Sequence, residues 1–76
     1  MHFIQETGFT VELLQIEPNC HHVDELTRLA EQACWAHGPG VFHGYGAVQI
    51  IWKGESALVW YARTGDTIWL RSIRVT

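Results

Sequence analysis

One stretch of this chain carries an unbroken helical period, and it limits what the rest can do. It is Val23 to His37, VDELTRLAEQACWAH. Leu26, Leu29, Ala30, Ala33, Cys34 and His37 recur at steps of three and four, which makes one apolar stripe. A lone stripe must be buried against something, and the residues after it read as strands. The helix is therefore expected to cover one face of a sheet, which makes the other face the functional question.

The flanks of this helix are readable. His22 stands at the N-cap position with Glu25 three residues on, a box-like spacing. Asp24 and Glu25 place negative charge in the first turn, where the helix dipole favours it. Gly38 suits the residue just past the helix, and Pro39 cannot continue it.

Three strands are expected after the helix. Ala47 to Trp52 ends at Lys53-Gly54, a tight hairpin signal. Ser56 to Arg63 ends at the turn Thr64-Gly65-Asp66, and Thr67 to Thr76 closes the chain. Strands joined by short turns form an antiparallel meander. Before the helix, Met1 to Gln5 is read as a short strand and Thr7-Gly8 as a turn. Phe9 to Ile16 alternates apolar and polar residues as a half-buried strand does. The expected fold is one α+β domain over residues 1–76. A single helix packs on a four- to five-stranded antiparallel sheet, in the order (β)β-α-β-β-β.

Charge narrows the function. Five Lys and Arg stand against eight Asp and Glu, a net charge of −3. Direct binding of nucleic acid through phosphate neutralisation is disfavoured. No long apolar run and no signal-like N-terminus is present, so the expected setting is cytoplasmic, with no membrane partner. Cys20 and Cys34 make no disulfide framework and are expected reduced.

The surplus of aromatic residues is the main functional cue. Trp35 falls on the far side of the helix from the stripe, among Asp24, Arg28 and Glu31. Trp52, Trp60, Tyr61 and Trp69 lie on the last three strands, and neighbours such as Trp60 and Tyr61 must face opposite sides of the sheet. Rings left outside the core favour a protein interface, a homodimer included. The expected interface is Trp35 with Arg28 and Glu31, together with the exposed members of Trp52, Trp60, Tyr61 and Trp69.

Two other chemistries stay open. Cys20, His22, Cys34 and His37 offer ligand types for a structural zinc, with imperfect spacing. The glycine-rich stretch Gly38 to Gly46 reads as a loop. It could serve as a lid over a small-ligand cleft between two chains, lined by His43 and Tyr45. Catalysis has little support, because Cys34 lies on the buried stripe and the carboxylates are scattered. No enzyme activity and no cofactor is expected.

From the helix onward the chain resembles small phage-encoded anti-CRISPR proteins of the type I-F inhibitor group. The carrying residues are LTRLAEQAC (Leu26–Cys34), the step Phe42-His43-Gly44, and the hairpin ALVWYARTGDTIW (Ala57–Trp69). The resemblance implies a helix-and-meander fold. It also implies a non-enzymatic inhibitor that binds a host CRISPR surveillance complex and blocks recognition of target DNA. It carries over a class of activity and no contact residues.

Overall fold

A computed structural model describes residues 2–37 and 43–76. The elements run β1 (His2–Gln5), α1 (Thr7–Ile16), α2 (Cys20–His37), β2 (His43–Trp52), β3 (Glu55–Thr64) and β4 (Thr67–Val75). The fold is α+β, with two helices and a mixed four-stranded sheet in the order β1-β4-β3-β2.

The meander forms where the turn residues require it. Lys53 and Gly54 both take positive φ, 49° and 81°, as a two-residue type I′ turn demands. Gly65 opens the second turn at φ 56°. β2 and β4 each pair antiparallel with β3. Trp60 faces Ser72 and Tyr61 faces Leu70, so Arg71 is an extra, bulged residue in β4.

The N-terminal segment departs from expectation twice. Phe9 to Ile16 is helix, and Thr7-Gly8 is its first turn rather than a hairpin turn. Alternation and helical period overlap in so short a window. Phe9, Val11 and Leu13 fit a strand, while Phe9, Leu13 and Ile16 fit a helix face. The core decides for the second set: Phe9 and Leu13 are buried, whereas Val11 and Leu14 stay about half exposed. β1 pairs parallel with β4 from Thr67 to Leu70, so no hairpin joins it to the segment that follows. The Glu6 N–H then donates to the Leu70 carbonyl at 3.0 Å, and α1 continues along the rest of β4.

The second helix begins three residues earlier than the stripe suggests. Asn19, not His22, is its cap: the Asn19 side-chain oxygen accepts from the His21 N–H at 2.9 Å. Leu26, Ala30 and Cys34 are fully buried, with Leu29 and Ala33 packed at the margin. Trimming Leu26 to alanine would cost about 2–5 kcal/mol. β2 starts at His43, so His43 to Gly46 belong to a strand and not to the glycine-rich loop. The remainder of that expected loop, residues 38–42, lies outside the described residues.

Candidate protein-binding face

Strand register sorts the aromatic residues between the two faces of the sheet. Tyr61, Val59 and Ala57 of β3 point to the helices, as do Ile68, Leu70 and Ile73 of β4, and all are buried. Residues of the opposite parity form a second face. Tyr45, Ala62, Trp69 and Ile4 make one row across the strands, and Ala47, Trp60 and Ser72 make the next. The helices bury Phe9 and Leu13 of α1 and Leu26, Ala30 and Cys34 of α2 in the core on the first side. On the second, Tyr45 is 75% exposed, Ile51 60%, Ile4 45% and Trp60 37%.

A groove of about 450 Å³ crosses this open face, lined by Tyr45, Trp60, Arg71, Ser72, Arg74 and Glu12. The bulge turns Arg71 across the sheet, and its guanidinium carbon sits 5.2 Å from the centre of the Tyr45 ring. Arg71 Nε also lies 3.4 Å from a Glu6 carboxylate oxygen. Glu12 reaches over from α1, accepting from Ser72 Oγ at 2.7 Å and Arg74 Nε at 2.8 Å. Those two donors, Ser72 first, hold the Glu12 carboxyl below its ordinary range. Each groove arginine thus meets a carboxylate of the α1 region, and the groove is locally near neutral.

The expected interface residues divide. Trp60 and Trp69 lie on the open face, Trp69 half-buried. Tyr61 is core: its ring passes over Gly46, where an added Cβ would stand 2.7 Å from ring atoms. Trp52 falls on the helix-covered side and packs against the core. Trp35 is half-buried and is not a free solvent-facing ring. The Arg63 guanidinium lies 4.1 Å from its ring centre and donates to the Trp35 carbonyl at 3.4 Å. A cation there also suits the negative end of α2. Arg28 is exposed on α2, and Glu31 is partly buried, which raises its carboxyl pKa. The expected cluster of Trp35, Arg28 and Glu31 is therefore separate from the open face.

The expected metal set is split. Cys20 and His22 open α2 while Cys34 and His37 close it, about 21 Å apart at 1.5 Å per residue. Among the described residues, no group of three or more His, Cys, Asp or Glu converges on one point. His37 Nδ1 instead lies 2.7 Å from the Tyr61 hydroxyl. The Cys34 thiol is pushed up to about 12 by burial and by the nearby Glu31 charge.

Ile51, Ile4 and Arg71 escaped the sequence reading, and Tyr45 entered it as a cleft-lining residue of the expected loop rather than as part of a sheet face. Extending the alternation of β2 back through Gly46 and Tyr45 would have placed Tyr45 on that face. The bulge that aims Arg71 has no local signal. No family model, curated protein or solved structure matches this chain. What fold and face define is a class: a small α+β domain with one sheet face covered by helices and the other an apolar, partly exposed surface. Among the described residues, no helix is long and apolar enough to cross a membrane.

Proposed function

We propose that this chain is a non-enzymatic protein-binding module that docks through the open face of its sheet. The observation that carries the reading is Trp60, more than a third exposed at the middle of that face beside Tyr45. Exposed Trp and Tyr at the centre of an apolar patch are typical binding anchors. Pairing of Arg71 and Arg74 with carboxylates favours a protein surface over phosphate. Burial raises the Cys34 pKa and makes that thiol a poor nucleophile.

The partner class is a host defence complex in the cytoplasm, met by a phage or mobile-element inhibitor, as the resemblance implies. The test is binding of the purified protein to a type I-F surveillance complex, read together with that complex's affinity for target DNA. Binding is expected, with target DNA displaced. Trp60→Ala should weaken it about tenfold or more, equivalent to roughly 1.4 kcal/mol. Absence of binding removes this partner class. A photo-cross-linking residue at position 60 tests the wider reading in host cells. If it captures no more protein than one at exposed position 25 on α2, the face is not a docking surface.

A further inference from the structure

β2 is an edge strand of ten residues, the last in the sheet order. Its hydrogen-bonding sense follows from the turn. Residues flanking a two-residue hairpin, here Trp52 and Glu55, exchange hydrogen bonds. Alternation then points the peptide groups of Ile50, Val48, Gly46 and Gly44 toward β3. The N–H and C=O groups of Tyr45, Ala47, Gln49 and Ile51 point off the sheet. Exposed edges are usually guarded by a proline, a charged side chain or a short strand. From Gly44 to Trp52 the strand has no proline and no charged residue.

We infer that β2 pairs antiparallel with β2 of a second copy of this chain, across a two-fold axis at Val48, joining two sheets into one of eight strands. This register uses all four outward residues. Tyr45 meets the partner's Ile51, and Ala47 meets the partner's Gln49. The two most exposed large apolar side chains among the described residues thereby cover each other on the open face. On the covered face the smallest residue meets the largest, Gly44 opposite the partner's Trp52. No like charges are brought together within the paired strands, although each chain carries −3.

The contact is a strip about 30 Å long and about 10 Å wide, given the strand rise and sheet thickness. That is below the size of standard specific interfaces and in the range of weak, transient contacts, so a dimer that forms only as concentration rises is expected. The pairing does not depend on the open-face reading, because the edge engages backbone whereas docking rests on Trp60.

Sedimentation velocity from about 1 µM to about 1 mM covers the concentrations at which a weak contact of this kind forms. The wild type should pass from monomer to dimer. Gln49→Pro removes one outward N–H without touching the bonds to β3, and should stay monomeric with an unchanged circular-dichroism spectrum. Val48→Cys in a Cys20→Ser background should form an intermolecular disulfide under mild oxidation. A non-hydrogen-bonded antiparallel pair sets its Cα atoms about 4.5 Å apart, within disulfide reach. Ala47→Cys in the same background should not cross-link. If Gln49→Pro fails to fold, the cysteine pair of variants decides alone. A wild type that is monomeric throughout overturns the inference and leaves the edge to an extended segment of another protein. So does a dimer that survives in folded Gln49→Pro, or cross-linking through position 47 instead of 48.

Discussion

The Tyr61 hydroxyl lies 2.7 Å from His37 Nδ1, joining the last turn of α2 to the middle of β3. The two rings meet edge to face at 88°. The phenol ring occupies the space that Gly46 leaves open, so three elements converge on one side chain.

Tyr61→Phe keeps the ring and removes the hydrogen bond, and should cost about 1 kcal/mol in urea denaturation. Gly46→Ala drives a methyl into that ring and should cost about 1–3 kcal/mol. The Tyr61 pKa is raised, first by burial and then by Cys34. Its folded value exceeds its unfolded one, so its contribution is complete below pH 10 and is lost as pH rises through the folded value. Tyr61→Phe should therefore flatten the alkaline limb of a stability–pH curve.

Trp35 and Trp60 should separate folding from binding. The Trp35 ring packs between Arg63 and the margin of the core, so Trp35→Ala should lower stability by about 2 kcal/mol. Trp60 is on the open face, and Trp60→Ala should cost under about 1 kcal/mol. Thermal denaturation of both variants checks the ordering. A stability loss for Trp60→Ala that matched the loss for Trp35→Ala would place Trp60 in the folding core.

Acid should loosen the links that α1 makes to the sheet. Glu12 is held below its ordinary pKa of 4.5 by Ser72 and then Arg74, and Glu17 by Lys53. Both folded values are depressed, so the stabilisation is present above 4.5 and is lost as pH falls below it. Melting temperature should drop from pH 5 toward pH 3, the ordinary range of carboxylate titration. Glu12→Gln should shrink that drop while lowering stability at pH 7.

The cysteines should differ sharply toward thiol reagents. Cys20 is exposed at the start of α2, whereas Cys34 is fully buried with its pKa pushed up to about 12. At pH 8 one equivalent of reagent should react quickly. The second should react at a rate set by unfolding, and rise with urea. Fast labelling of both thiols would contradict the burial of Cys34.

Much of the fold was legible because the signals were local. Lys53-Gly54 and Gly65 announce turns that need positive φ, and the stripe through Leu26, Ala30 and Cys34 announces a buried helix face. Phe9 to Ile16 was not legible, because Val11 and Leu14 are apolar on the exposed side of α1 and blur its period. The face was legible only in part. Parity separated Trp60 from Tyr61 but could not choose which of them the helices would cover.

The sequence by itself determined the α+β class, the meander and its turns, and the stripe of α2, since each depends on backbone preferences or on spacing within one segment. Only the tertiary structure decided the rest. It made α1 a helix, set β1 parallel to β4, stacked Trp35 under Arg63, and turned Trp60, Tyr45 and Ile51 to the uncovered face. Those outcomes depend on contacts between residues far apart in the chain. Apolar burial, which ranks competing arrangements, is a property of the whole packed domain and not of any window within it.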